Sequence, residues 1–176
     1  MRKILVALML MLSPVTAAQA ADKLPELGGE ISAESPYGQG KLSFLWMDVY
    51  DAELWTDAAQ WSMEAPFALS LIYHTALDAE DIISRTLDEM DAITSLDVET
   101  RSAYLKDLRR VIPDMQANDR FTGLYTPKAG VEFFHNGRSS GRITQPAFAE
   151  SFFAIWLSPK TSEPALRAAL LKVAKP

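Results

Sequence analysis

Residues 130–171 read GVEFFHNGRSSGRITQPAFAESFFAIWLSPKTSEPALRAALL, and this stretch indicates how the last third of the chain folds. Asn136-Gly137 separates two short extended segments and predicts a two-residue hairpin, because both central residues of a type I′ turn need positive φ. Pro146 suits the first turn of a helix, which Pro159 then ends. A last helix is predicted from Pro164. The stretch therefore predicts a β-hairpin followed by two helices.

Further strands are predicted upstream. Residues 41–55 are dense in aromatic and β-branched side chains and predict extended chain, with a break into a second strand at Asp51-Ala52. Apolar residues on both faces indicate either a central strand covered on both sides or a strand with a bulge that re-aims its second half. Residues 66–74 and 119–126 predict two more strands. Between them we expect two helices, one capped at Asp78 and the other following residue 97.

Strands on both sides of a helical pair, followed by helices at the end, predict an α+β fold with a mostly antiparallel sheet. We divide the chain into three parts. Residues 1–20 are a predicted signal peptide, residues 21–39 form an extended or loop segment, and residues 40–176 form a single domain. No repeat and no linker divides this last part.

The first twenty residues have the pattern of an export signal. Arg2 and Lys3 precede an apolar run over residues 4–12 that is too short to span a bilayer, and Ala18-Gln19-Ala20 is a small-x-small cleavage site. No cysteine follows the run, which excludes a lipoprotein anchor. We therefore predict cleavage after residue 20, a periplasmic mature protein and no stable membrane insertion after cleavage.

Composition excludes several classes of function. Cleavage would remove two of the 17 basic residues and leave 15 against 23 acidic residues, a net charge of −8, which argues against nucleic acid as a partner. The absence of cysteine excludes disulfides and thiolate chemistry. Glycine-rich phosphate loops and the Gly-x-Ser-x-Gly motif are also absent, so no cofactor is predicted.

Four pieces of sequence suggest a family. They are FLWMDVYDAELW (residues 44–55), the Asp119-Arg120 strand start, FFHNG (residues 133–137), and FFAIWL (152–157) followed by LRAALL (166–171). In this order, the chain from about residue 40 to 171 resembles the bacterial, secreted branch of the chalcone isomerase-like family. The resemblance implies a large, mostly antiparallel sheet with a layer of helices on one face. These are core and turn residues, so the resemblance implies a fold rather than a reaction.

The resemblance also indicates which catalytic residues are missing. Plant chalcone isomerases use an Arg, a Thr and a Tyr, and matching Val49-Tyr50 to the family's Val-Tyr pair puts the Thr position near Leu45 and the Arg position near Ala33. Leucine cannot donate a hydrogen bond and alanine cannot stabilise an anion. No Arg lies between residues 21 and 81. The resemblance therefore implies no chalcone cyclisation, and the fatty-acid-binding relatives' Arg is missing as well.

One carboxylate is a candidate catalytic group. Alternation places Trp46, Asp48 and Tyr50 on one strand face, where an inward Asp48 would be desolvated, with a raised pKa suited to a general base. The alternative, which we favour, is that Asp48 pairs with an arginine or backbone amides, or lies at a sheet edge.

Ligand-binding and metal-binding candidates can also be named. We predict a ligand site from Trp46, Tyr50, Tyr73 and Arg120. For Arg120 an ordinary ion pair at the sheet rim is the favoured alternative. The two histidines, His74 and His135, lack a nearby partner of metal-ligand spacing, so no metal site is predicted.

The sequence leaves three functions open. We favour a secreted, non-catalytic protein that binds a small apolar or amphipathic ligand such as a fatty acid. The second is an isomerase or lyase that acts on a small hydrophobic substrate and uses Asp48 or Tyr73 with Tyr50. The third is an envelope protein that binds other proteins through the open sheet face.

Overall fold

The computed structural model describes residues 23–173, and the predicted signal peptide lies outside them. The strands are β1 (Gly38–Phe44), β2 (Met47–Trp55), β3 (Phe67–Tyr73), β4 (Arg120–Thr126), β5 (Gly130–His135) and β6 (Arg138–Ile143). The helices are α1 (Ala79–Thr94), α2 (Val98–Val111), α3 (Pro146–Leu157) and α4 (Pro164–Leu171), and a short 3-10 helix covers Pro25–Leu27.

The six strands form one antiparallel sheet in which each strand pairs with the next along the chain. The predicted α+β class is confirmed. The Asn136-Gly137 turn joins β5 to β6, with φ of 50° and 77° at its two residues, as a type I′ turn requires. Both predicted proline-started helices are present, since Pro146 and Pro164 stand in the first turns of α3 and α4.

The prediction of a break at Asp51-Ala52 is wrong. The chain turns earlier, at Leu45-Trp46, and β2 then runs without interruption. This turn was missed because neither residue is a turn former and Leu45 has a φ of 56°, a region that bulky side chains rarely adopt. Of the two alternatives for this segment, the structure has the bulge: the register between β1 and β2 shifts at Val49, which has no partner on β1.

The helices cover one face of the sheet, as predicted. Alternate residues of β3, such as Leu69 and Leu71, join the core under the helices. Ala68 faces the other way, into a second cluster with Leu24 and Leu27. Residues 24–31, which we call the N-terminal strap, therefore cover part of the second face.

A partly buried ion pair fixes the strap to the sheet. The Glu26 carboxylate accepts hydrogen bonds from Nε and Nη2 of Arg120 at 2.9 and 3.1 Å, and from Oγ1 of Thr122 at 3.0 Å. Thr122 also bonds to Ser70 on the neighbouring strand at 3.2 Å. The small side chains Ala68 and Ser70 leave room for this contact.

Candidate ligand-binding site

A pocket of about 260 Å³ lies between the sheet and the helical layer. Its apolar walls come from strands and helices alike and include Leu42, Val49, Leu71, Ile82, Phe121 and Ile155. The bulge in β2 contributes directly to this pocket. Successive strand residues normally point to opposite faces, yet Val49 and Tyr50 both line the pocket because the bulge re-aims the strand.

Tyr50 brings a hydroxyl to the pocket. Its Oη accepts a hydrogen bond from Nε1 of Trp156 at 2.9 Å. Burial raises the pKa of Tyr50 to about 12, partly offset by this hydrogen bond. The Tyr50 hydroxyl is therefore protonated at neutral pH. Because Trp156 donates to a lone pair of this oxygen, the proton of the Tyr50 hydroxyl remains free to donate to a ligand.

Tyr73 adds a second hydroxyl. Its ring meets that of Tyr50 edge to face, with the centroids 5.8 Å apart. Burial also raises the pKa of Tyr73, and no hydrogen bond from residues 23–173 contributes to this change. The pair thus offers two neutral hydroxyl donors beside an apolar cavity.

Charged side chains line one end of the pocket. Arg85 on α1 pairs with Glu89, with Nη2 and Oε1 2.5 Å apart, and Glu89 also accepts a hydrogen bond from Ser162 Oγ at 2.9 Å. Asp81 and Glu163 complete the charged lining. Tyr50 and Tyr73 line the same pocket as these charged groups.

The pocket therefore has an apolar body and a polar end. Three carboxylates and one guanidinium line it, and that guanidinium already has a partner in Glu89. Such a site suits a small molecule with an apolar chain and a polar head group. A neutral head group can bond to the hydroxyls directly, whereas an anionic one must compete with Glu89 for Arg85.

The hypothesis of Asp48 as a buried general base is wrong in its premise. Asp48 is exposed and accepts hydrogen bonds from Lys41 Nζ at 2.7 Å and Ser43 Oγ at 2.8 Å. The Lys41 and Ser43 hydrogen bonds hold the pKa of Asp48 below its ordinary value, whereas the hypothesis needs a raised pKa. The favoured alternative expected an arginine or backbone amides as partners, or a sheet edge; the structure instead pairs Asp48 with Lys41 and Ser43, on the part of β2 that precedes its pairing with β3.

Of the four predicted ligand residues, the structure brings two to the pocket. Tyr50 and Tyr73 line it, while Trp46 and Arg120 do not. Trp46 lies in the exposed β1–β2 turn, because the chain reverses there and not at residue 51. Arg120 precedes Phe121, which lines the pocket, and therefore points to the opposite face, where it binds Glu26.

The sequence analysis missed the charged end of the pocket. None of Asp81, Arg85, Glu89 and Glu163 is among the predicted ligand-binding residues. Asp81, Arg85 and Glu89 recur every four residues, directly beside the half-buried Ile82 and the buried Thr86. A charged stripe that flanks the inward face of a helix was the available signal.

The histidines are explained by local pairing. His74 Nε2 lies 2.9 Å from Asp51, and His135 Nε2 lies 2.9 Å from Asp119. Hydrogen bonds from the side chain of Asn136 and the backbone of Gln116, then from His135, lower the pKa of Asp119 to about 2. Within residues 23–173 no group of three or more potential ligands is placed to hold a metal ion.

The same part of the chain contains no helix that is both long and apolar enough to cross a membrane.

Comparison with known proteins gives a family and a fold. A family model described as chalcone isomerase-like matches residues 37–172. The structure is similar to the crystal structure of a fatty-acid binding protein from Arabidopsis thaliana, with a TM-score of 0.62 and 11% sequence identity. The match covers 78% of this chain and 86% of that one. A search of curated proteins gave no match. At this identity the likeness shows a shared fold.

Proposed function

The chain belongs to the chalcone isomerase-like family, and we propose that it is a non-catalytic member that binds a small amphipathic molecule, a fatty acid of short to medium chain length being the first candidate. The observation that carries this proposal is the 260 Å³ pocket with its apolar body and its hydroxyl-bearing end. A structural neighbour that is itself a fatty-acid binding protein supports the choice of ligand class.

The size of the pocket limits the ligand. A dry cavity of roughly 150 Å³ holds benzene, which has six heavy atoms. By simple scaling, 260 Å³ holds about ten heavy atoms, the size of octanoic acid or octanol. We therefore take these two compounds as probes, since they share the apolar chain and differ in the head group.

The head group lies, in this proposal, at the charged end beside Tyr50 and Tyr73. Octanol bonds to the hydroxyls, and octanoate also requires Arg85, which is paired with Glu89. The isomerase or lyase alternative loses its proposed carboxylate base, because Asp48 is exposed and lies outside the pocket lining. The proposal includes export to the periplasm through the signal-like residues 1–20.

Native mass spectrometry of the protein isolated from its own cells, with solvent extraction of bound molecules, tests the proposal. The expected result is an adduct of amphipathic mass that is reduced in Val49→Phe, a variant that fills the pocket at its bulge. A protein without adduct that also fails to bind either probe would contradict it. The amino-terminal sequence of the same sample shows whether cleavage occurs after residue 20.

A further inference from the structure

The turn between β1 and β2 exposes four consecutive large apolar side chains. Phe44, Leu45, Trp46 and Met47, which we call the hairpin tip, have 67%, 75%, 87% and 55% of their surface accessible. The other large apolar residues exposed in the described part of the chain, Val98 and Val173, are isolated. Scattered exposed apolar residues are ordinary, but a contiguous group of this kind marks an interaction site.

The backbone of the hairpin tip is not the one that a stable turn would select. Leu45 has a φ of 56°, where Gly, Asn or Asp is favoured. The second tight hairpin of the same sheet uses Asn136-Gly137 at the equivalent place. A bulky residue held in this region is strained, and Asn or Gly at this position would relieve that strain.

We propose that the hairpin tip docks this protein reversibly on the surface of a lipid bilayer. No charged residue lies between Leu42 and Met47, so the tip can enter the interface without dehydrating a charge. The flanking Lys41 and Asp48 neutralise each other at 2.7 Å. Trp46 stands at the apex, and tryptophan favours the membrane–water interface.

The charge of the chain decides which bilayer the tip fits. The full sequence carries a net charge of −6, so anionic lipids repel the protein rather than attract it. Docking must then come from apolar insertion alone. We accordingly assign the tip to neutral, zwitterionic lipid, with binding that does not increase when anionic lipid is added.

A second copy of the chain fits the hairpin tip less well. With at most about 250 Å² on each of the four side chains, the tip exposes at most about 700 Å². A stable interface needs about 800 Å² from each partner. The tip is also a protruding two-residue turn, a shape that is not complementary to itself.

Docking at the tip would bring the pocket to the membrane. Leu42 and Val49, two residues away from the tip on either strand, line the pocket. An amphipathic ligand dissolved in the bilayer would then meet the protein at the hairpin whose strands form the pocket wall. This delivery route rests on the proposed function, whereas docking itself does not.

Co-flotation of the protein with phosphatidylcholine vesicles tests the proposal. The decisive variant is Leu45→Asn/Trp46→Gly, which gives β1–β2 the turn sequence of the second hairpin. Burial of two large apolar side chains predicts at least a tenfold loss of vesicle binding, with thermal stability equal to or above that of the parent. Val98→Ser, on a helix packed against β6 at the far edge of the sheet, serves as the matched control and is expected to bind as the parent does.

Three results would overturn the proposal. The first is failure of the parent protein to float, and the second is equal flotation of the parent protein and the turn variant. The third is a concentration-dependent dimer in sedimentation that the turn variant abolishes. This third result would assign the tip to a second copy of the chain. Titration of the turn variant with octanol in vesicle-free buffer keeps the two proposals separate. Unchanged octanol binding with lost flotation supports the docking role of the tip independently of the pocket.

Discussion

Replacing Arg120 by alanine tests whether this arginine holds the N-terminal strap on the sheet or contributes to the ligand site. The Glu26 carboxylate has no exposed surface, while 28% of the Arg120 side chain is exposed. Arg120→Ala leaves a buried charge with one hydroxyl partner, Thr122, and breaking such a pair costs about 3–5 kcal/mol. Glu26→Ala leaves an arginine that can turn toward water, so its cost is expected to be smaller.

Urea unfolding followed by circular dichroism measures both variants. At roughly 2–4 °C per kcal/mol for a domain of this size, Arg120→Ala should also lower the melting temperature by about 10 °C. Arg138→Ala, an exposed arginine on β6, is the matched control and should stay within about 0.5 kcal/mol of the parent. A loss below 1 kcal/mol for Arg120→Ala, or a larger loss for Glu26→Ala, would refute the reasoning. Reduced octanol binding by a folded Arg120→Ala protein would return the residue to the ligand site.

Three further predictions concern the pocket and the sheet. Tyr73→Phe removes one hydroxyl donor and should weaken octanol binding by about 2–10-fold in calorimetry, since one hydrogen bond contributes about 0.5–1.5 kcal/mol. Unchanged affinity would exclude a hydrogen bond between the Tyr73 hydroxyl and octanol. Glu89→Gln frees Arg85 and should strengthen octanoate binding by up to about 5-fold, which is the contribution of a partly exposed ion pair, while octanol binding stays unchanged. An equal gain for both probes would contradict competition between octanoate and Glu89 for Arg85. The pKa values of Tyr50 and Tyr73 are raised in the folded protein, so their contribution to stability is complete below the unfolded value of 10 and should be lost as pH rises from 10 toward 12. Over this range Tyr73→Phe should lose less stability than the parent protein. An equal loss would contradict a buried hydroxyl on Tyr73.

Acid should weaken the contacts that Asp119 makes, because the pKa of Asp119 is lowered in the folded protein and not raised like the pKa values of the two tyrosines. The pKa of Asp119 is lowered from 3.8 to about 2, so its stabilising contribution is complete above the unfolded value and is lost as pH falls through this range. Asp119→Asn should be less stable than the parent at pH 6 and approach it at pH 2 in urea unfolding. A difference that is the same at both pH values would contradict this role.

Local sequence signals predicted most of the fold because each one acts within a few residues. Pro146 and Pro164 fix φ near its helical value, Asn136-Gly137 tolerates the positive φ of a tight turn, and the structure has the expected helix start or turn at each place. The alternation in β3 likewise separates Ala68, which meets the strap, from Leu69, which meets the helices.

The errors arose where local preference is overridden. Leu45-Trp46 forms a turn against its intrinsic preference, which moved the predicted break to Asp51-Ala52 and placed Trp46 among the ligand-binding residues, whereas it is exposed. No pattern within the strand indicates that Arg120 meets Glu26, because 94 residues separate them. The charged end of the pocket was missed for a similar reason, since it forms only when α1 meets the segment before α4.

Isothermal titration calorimetry of the protein with octanol, in parallel with Val49→Phe, tests the central claim most directly. We expect saturable one-to-one binding with a negative heat-capacity change, which is the mark of apolar burial. A folded Val49→Phe protein should show no binding, because the added ring occupies the pocket beside Tyr50. Absence of heat with the parent protein for both octanol and octanoate, or equal binding by Val49→Phe, would contradict the assignment of this pocket as the ligand site.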